Sequence, residues 1–131
     1  HSGTITTSAG LVVSYVPQDT AHLNGLLSHF AEKHHLDESL FKGILRKMGF
    51  ERVQFEKKME DFSAGQKKKV LLAASLCRPT HLYVWDEPLN FVDLHTRLQI
   101  TSLLRQAQPT MLFVEHDRAF QEEIATQKIS L

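Results

Sequence analysis

The sequence predicts an α/β fold with a parallel sheet, and two patterns carry that prediction. Short apolar runs at 11–16, 82–85 and 111–114 are typical of buried strands, and polar residues follow each run. Helical patterns separate the runs, and helical crossovers are the connection that parallel strands require. Because open α/β sheets bind ligands at the carboxyl ends of their strands, the residues after each run are the first candidates for a functional site.

Composition and charge are those of an ordinary globular chain with a core of its own. Hydrophobic residues make up 42% and charged residues 23% of the 131 residues. Lys and Arg total 15, as do Asp and Glu, so the bulk charge does not indicate a nucleic-acid or membrane partner. The sequence contains neither a membrane-spanning apolar run nor a signal-peptide pattern. We therefore expect a cytoplasmic location and no membrane segment.

The most informative stretch runs over residues 81–93, where an apolar run ends in two adjacent acids. Asp86 and Glu87 follow the predicted strand, and Pro88 ends it. Neighbouring residues on a strand point to opposite faces, so one acid can hold a divalent cation while the other takes a proton from water. The alternative is a pair of solvated acids in a turn, and this stretch taken alone favours that alternative.

A second candidate site lies at the start of the helix that precedes this strand. Ser63 and Gln66 have the Ser-x-x-Gln spacing of a capping box, and an apolar helix follows them. The N–H groups at such a helix start attract anions, and Ala64 and Gly65 leave room for a phosphate. An ordinary capped helix is the alternative, and the hexapeptide alone favours it. We expect the run 67–69, three lysines, to be a solvated face, although cations in a first turn indicate an anionic partner, either nucleotide or ribosomal RNA.

The remaining elements are predicted from periodicity and caps. Apolar spacing predicts one helix that includes Leu23 to Ala31 and a second over 36–48, with Asp37 as N-cap and Gly49 just beyond the end. A further helix over about 91–106 would join two parallel strands, and 127–131 would form a last strand. His116 follows the strand at 111–114 and would lie beside the two acids if those strands are neighbours. A structural histidine is the alternative there.

Several short segments, taken together and in this order, resemble the motifs of an ABC-type ATPase domain. They correspond to its Q-loop, signature motif, Walker B strand, D-loop and H-loop: Tyr-Val-Pro-Gln at 15–18, Phe-Ser-Ala-Gly-Gln at 62–66, Leu-Tyr-Val-Trp-Asp-Glu-Pro at 82–88, Asn-Phe-Val-Asp at 90–93 and Val-Glu-His-Asp at 114–117. The sequence further resembles the ABC-F branch, and within it the second ATPase domain of the Lsa and Vga type of antibiotic-resistance proteins. The resemblance implies a P-loop NTPase fold whose core sheet and helices lie in 1–19 and 79–131, with a helical signature subdomain at 20–78.

The resemblance also assigns roles to the catalytic half of a site that binds ATP and Mg²⁺. It implies that Asp86 holds the metal and that Gln18 helps to place both the metal and the attacking water. Glu87 would act as general base, and His116 would contact the γ-phosphate. The implied activity is hydrolysis of ATP to ADP and phosphate.

The remaining motif residues would act on a nucleotide held by a second ABC ATPase domain, in a head-to-tail pair. Ser63, Gly65 and Gln66 would bind the γ-phosphate of that nucleotide, and Asp93 would act across the same interface. Phe62 and Ala64 replace the commoner Leu and Gly of the signature, and Ala64 is expected to crowd the phosphate and slow turnover. The ABC-F resemblance makes the ribosome a candidate partner.

No Gly-x-x-x-x-Gly-Lys-Ser/Thr motif occurs, because none of the glycines is followed by lysine. We therefore expect the sequence to be the C-terminal portion of one truncated ABC ATPase domain, lacking the P-loop strand and inactive alone. The missing strand would leave an open apolar edge, so we expect residues 127–131 to fill the gap or the fragment to self-associate. Two alternatives remain open: a fragment of a membrane-transporter ATPase subunit, and a catalytically dead ABC-like interaction module.

Overall fold

Three parallel strands form the sheet of the protein. The computed structural model describes residues 13–17, 19–78, 82–89, 92–107 and 111–114, with only the backbone of 107 and 112–114. The strands are β1 (Val13–Val16), β2 (Leu82–Asp86) and β3 (Met111–Val114), in the order β1-β2-β3. The predicted α/β fold with a parallel sheet is confirmed.

The parallel register of the strands brings their carboxyl ends together at one end of the sheet. Val16 of β1 lies opposite Trp85 of β2, and Asp86 lies opposite Val114 of β3. The end of β2 therefore stands between the ends of its two neighbours. This placement is the one on which the predicted roles of Asp86 and Glu87 depend.

Four α-helices and two 3-10 segments complete the described part of the chain. They are α1 (Leu27–Lys33), α2 (Glu38–Lys47), the 3-10 segments Arg52–Glu56 and Met59–Asp61, α3 (Ala64–Cys77) and α4 (Leu94–Ala107). Since α4 connects β2 to β3, it is the predicted crossover helix between parallel strands. None of the helices in the described ranges has the length and apolar character needed to cross a bilayer.

The caps of α2 match the prediction from sequence. The Asp37 carboxylate accepts a hydrogen bond from the Leu40 N–H. At the other end, Gly49 has φ +96°, and the Phe50 N–H donates to the Leu45 carbonyl at 3.0 Å. This is the closing bond of a Schellman motif, which needs a residue that tolerates positive φ.

The predicted start of the first helix is wrong by about one turn. Leu23 is buried but lies outside α1, because Gly25 takes φ +80° and breaks the helical path before Leu26. The chain here pairs instead with the segment 58–59: Leu26 forms a bridge with Lys58, and the Met59 N–H donates to the Gly25 carbonyl at 2.8 Å. Helical spacing of leucines therefore reflected a shared buried face and not a continuous helix.

One helix, α3, connects the helical region to the sheet. It contacts α2 on one side and β1 on the other. Ser75 on α3 accepts a hydrogen bond from the Trp85 indole at 2.9 Å and shares another with Ser14 at 2.6 Å. All three side chains are buried, so these bonds fix α3 against β1 and β2.

Candidate functional site

The capping box predicted at the start of α3 is present. The Ser63 hydroxyl accepts from the Gln66 N–H at 3.1 Å, and the Gln66 side-chain carbonyl accepts from the Ser63 N–H at 3.0 Å. Since the Ser63 oxygen acts as acceptor in this bond, its hydroxyl proton can still be donated to another group. The helix start therefore combines a hydroxyl donor with the positive end of the helix dipole.

An open cleft of about 560 Å³ lies in front of this helix start. It is lined by Ser63, Ala64, Gly65, Gln66, Lys69, Val92 and Asp93. The structure thus brings together all four residues for which the resemblance implied contact with the partner's nucleotide: Ser63, Gly65, Gln66 and Asp93. Hydroxyl, amide and ammonium groups line the cleft, together with the Asp93 carboxylate that pairs with the ammonium.

Lys69 joins the two walls of the cleft through an ion pair with Asp93. The Lys69 ammonium lies 2.7 Å from one carboxylate oxygen, and the other oxygen accepts from the Thr96 N–H at 2.8 Å. Partial burial acts to raise the pKa of Asp93. The hydrogen bonds from Lys69 and Thr96 outweigh that effect and hold the pKa of Asp93 at about 2. Asp93 is therefore ionised at any physiological pH.

Asp93 also fixes where α4 begins. Its bond to the Thr96 N–H has the geometry of a helix cap, and the buried Thr96 hydroxyl donates to the Met48 carbonyl at 3.0 Å. The start of α4 is thereby tied to the end of α2 and, through Lys69, to α3. Contacts among α2, α3 and α4 therefore fix the positions of the residues that line the cleft.

Lys68 is 1% exposed and points away from the cleft, into the sheet. Its ammonium donates to the Pro17 carbonyl at 3.1 Å and to the Asp86 carbonyl at 3.3 Å, which lie at the carboxyl ends of β1 and β2. The expectation of a solvated face at 67–69 is wrong for Lys68 and Lys69. Both are buried because this face of α3 packs on the strand ends and on the start of α4.

The two acids predicted to be catalytic occupy different backbone environments. Asp86 is the last residue of β2, whereas Glu87 has φ +47°, a region that residues with a β-carbon seldom adopt. Both side chains are partly buried, and neither lines the cleft at Ser63. The change of backbone direction sends the chain from β2 into the buried Pro88 and Leu89.

Asp86 supplies one carboxylate at the carboxyl end of β2, where the resemblance implied a magnesium ion. Among the described residues no three His, Cys, Asp or Glu side chains group closely enough to form a metal cage. Mg²⁺ in phosphate-transfer sites needs no such cage, because one or two carboxylates, the phosphates and water complete its shell. Gln18 and His116, the other two residues predicted for this half of the site, lie outside the described residues.

The fold is that of an ATP-binding cassette domain, and the comparison with known families agrees. Residues 2–90 match the family described as ABC transporter. The chain therefore belongs to the ABC transporter family of ATPase domains.

Similar proteins place the chain close to the ABC-F branch, as the sequence motifs predicted. It is 29% identical to the ATP-binding protein Uup of Caulobacter vibrioides over 99% of this chain and 23% of Uup. It is 32% identical to the ribosome protection protein VmlR of Bacillus subtilis over 67% of this chain and 16% of VmlR. Both relatives are ABC-F proteins. The chain thus spans about a quarter or less of the length of each of these two relatives.

Solved structures share the fold. The archaeal ribosome recycling factor aABCE1, solved in complex with the ribosomal stalk protein aP1, superposes with a TM-score of 0.72 at 25% identity, over 94% of this chain and 25% of that one. A bacterial ABC transporter cassette, solved as a dimer, gives a TM-score of 0.71 at 19% identity, over 86% of this chain and 56% of that one.

Proposed function

We propose that this chain supplies one half of each of two ATP sites that form when two ABC ATPase domains pair. The observation that carries the proposal is the separation of the two candidate groups within one chain. Ser63, Gly65, Gln66 and Asp93 line an open cleft, whereas Asp86 and Glu87 lie at the end of β2 and do not face it. Two half-sites on one domain are what a head-to-tail pair needs.

The end of β2 is the hydrolytic half. Asp86 and Gln18 are the proposed holders of Mg²⁺, which when bound neutralises charge on the phosphates. Glu87 takes a proton from the attacking water, and His116 contacts the γ-phosphate. Catalysis of this kind rests on positioning and electrostatics, so the fixed backbone around Glu87 matters as much as its carboxylate.

The cleft in front of α3 is the other half. The N–H groups of the first turn and the Ser63 hydroxyl donate to the γ-phosphate of a nucleotide on the second domain, and Gly65 permits its close approach. Because Asp93 already accepts from Lys69 and Thr96, its proposed role at the interface is to hold Lys69 within reach of the phosphate. Ala64 lies exposed at this opening, where its methyl group narrows the approach.

We further propose that the full-length protein is cytoplasmic and acts on the ribosome. The support is the similarity to VmlR, named a ribosome protection protein, and to aABCE1, named a ribosome recycling factor. Antibiotic resistance is the corresponding physiological role.

The test uses Glu87→Gln in the full-length protein. Loss of the general base should lower the ATPase rate by about 100-fold or more while ATP binding persists, since general acid–base catalysis contributes about 10²–10⁴-fold. An ATP-trapped state should then accumulate on ribosomes in sedimentation. Glu56→Gln, an exposed acid on a 3-10 segment, is the matched control and should change neither quantity.

The same experiment separates the other functions. Recovery of the trapped protein with membranes instead of ribosomes would favour a transporter subunit. Equal ATPase rates for Glu87→Gln and the unmodified protein would remove the hydrolytic role and favour an interaction module.

A further inference from the structure

A buried lysine needs a reason, because moving an ammonium out of water is unfavourable unless its donors are satisfied. Lys68 is 1% exposed, and its ammonium donates to the carbonyls of Pro17 and Asp86. A methionine at this position would fill a similar volume without that penalty. The position therefore holds a charge where packing alone requires none.

The two carbonyls that Lys68 binds have one property in common. Each belongs to the peptide group that leads into a predicted catalytic residue: the Pro17 carbonyl to Gln18, and the Asp86 carbonyl to Glu87. A peptide group is planar, so holding its oxygen restricts rotation about the N–Cα bond of the residue that follows. Lys68 thereby restrains the backbone angle φ at Glu87.

Glu87 has particular need of such a restraint. Its φ of +47° is unfavourable for a residue with a β-carbon, so the backbone would relax if nothing held the preceding peptide group. Relaxation would redirect the Glu87 side chain away from its present orientation. The ammonium of Lys68 opposes that change from the neighbouring helix.

We propose that Lys68 is a positioning residue for ATP hydrolysis. Its ammonium ties the Asp86 carbonyl to the Pro17 carbonyl at the end of β1, and so fixes the peptide group from which the Glu87 side chain is oriented. This inference rests on the proposed function. Lys68 does not line the cleft at Ser63, so its effect should fall on the chemical step and not on nucleotide affinity.

The test is Lys68→Met in the full-length protein, with Lys67→Met as matched control from the same turn of α3. Misplacement of a catalytic group by about 1 Å can reduce rates by about 100-fold. We therefore expect kcat to fall about 10- to 100-fold and the KM for ATP to stay within about twofold of its original value. Lys67→Met should leave both unchanged. A kcat for Lys68→Met within twofold of the unmodified protein would overturn the inference.

A second variant covers the case in which Lys68→Met does not fold. Lys68→Arg keeps the charge and donors that can reach carbonyls, so it should retain more activity than Lys68→Gln, which is neutral. Equal kcat values for Arg and Gln at this position would contradict a role for the ammonium.

Combination with Glu87→Gln separates this inference from the proposed function. If Lys68 acts through Glu87, adding Lys68→Met to Glu87→Gln should lower the residual rate by less than twofold. The inference would be overturned if Lys68→Met lowered the ATPase rate of the Glu87→Gln variant by as large a factor as it lowers that of the unmodified protein. Lys68 would then act independently of Glu87. If Glu87→Gln alone left hydrolysis intact, the proposed function would fail first.

Discussion

Asp93 illustrates how one side chain can serve both structure and site. One carboxylate oxygen caps α4 through the Thr96 N–H, and the other binds Lys69 at the edge of the cleft. Both bonds favour the ionised form, which is why the pKa of Asp93 lies at about 2 although partial burial opposes ionisation. Asp93 therefore stays ionised throughout the physiological pH range and does not act as a pH switch.

Lys69→Met should raise the pKa of Asp93 from about 2 towards the ordinary value of 3.8, because the hydrogen bond and the charge of the ammonium are both lost. An NMR titration of the Asp93 carboxyl carbon measures this shift. Lys67→Met, which removes a cation from the same turn, is the control. An unchanged Asp93 titration in Lys69→Met would contradict the role assigned to the ion pair.

The sign of the pH effect on stability follows from the lowered pKa. A carboxylate with a lower pKa in the folded state stabilises it above the unfolded value, so the contribution is complete above about pH 4 and is lost as the pH falls towards 2. Lys69→Met should weaken that dependence, whereas the part that comes from the Thr96 hydrogen bonds should remain. Because the Asp93 side chain is 53% exposed, the stabilisation is that of a partly solvated pair, about 1 kcal/mol or less.

At the residue scale, only local relations could be predicted from the sequence. The Ser63–Gln66 capping box and the Asp37 cap each join residues that are three positions apart, so the spacing in the sequence was sufficient to predict them. The partners of Lys68 and Lys69 could not be found in that way, since they are distant in sequence and those of Lys68 are backbone carbonyls. The one available signal was the cost of three cations at a helix start, which indicated that anionic or polar partners exist.

At the scale of elements, α3 is the helix on which the candidate site depends, and its N-cap residue, Ser63, has two separable functions. Ser63→Ala should lower the free energy of unfolding by about 1 kcal/mol, because the cap is lost. Ser63→Asp should keep the cap and the stability, since Asp caps helices as well as Ser and carries a charge that the helix dipole favours.

The two Ser63 variants should nevertheless share a functional defect. Neither has a hydroxyl to donate, and Asp would repel a phosphate, so we expect ATPase activity to fall in both and further in Ser63→Asp. Urea unfolding and steady-state ATPase assays of the full-length protein measure the two effects. Ser39→Ala, at an exposed position of α2, is the control. Full ATPase activity in Ser63→Asp would show that the cleft takes no part in ATP hydrolysis.

Element types were easier to predict than element boundaries. The strands and the long helices followed from apolar runs and periodicity, and α4 begins at Leu94 and not near 91 because Asp93 caps it. The start of α1 was misplaced because Leu23 and Leu26 continue its apolar spacing although Gly25 interrupts the helix. Spacing reports which residues share a buried face, and the backbone path between them depends on pairing with 58–59, which is remote in sequence.

At the scale of the whole molecule, the lack of a phosphate-binding motif limits what these 131 residues can do alone. The phosphate cradle of a P-loop site consists mainly of loop N–H groups and a lysine, and the sequence contains no such motif. We expect the 131-residue polypeptide, taken by itself, to show no Mg-dependent ATPase activity, and we expect the proposed full-length protein to show that activity under the same conditions. Activity of the isolated polypeptide that Glu87→Gln abolishes would contradict this.

The edge of β3 leads to a second prediction for the isolated 131-residue polypeptide. Among the described residues β3 has β2 as its one neighbour, and an unpaired strand edge favours association between chains. Analytical ultracentrifugation of the polypeptide should therefore show species larger than a monomer. A monomer at all concentrations would indicate that the edge is covered. The proposed strand at 127–131 lies outside the described residues and stays a prediction.

The burial of Lys68 and Lys69 also bears on covalent chemistry. Reagents and enzymes that acylate or methylate lysine need an accessible, unshared amine. In the run 67–69, Lys68 is enclosed and Lys69 is held by a carboxylate, which leaves Lys67 as the most accessible amine of the three. Three identical side chains in succession are thus chemically distinct, and labelling of this helix turn would report on the outermost lysine while the inner two keep their charge.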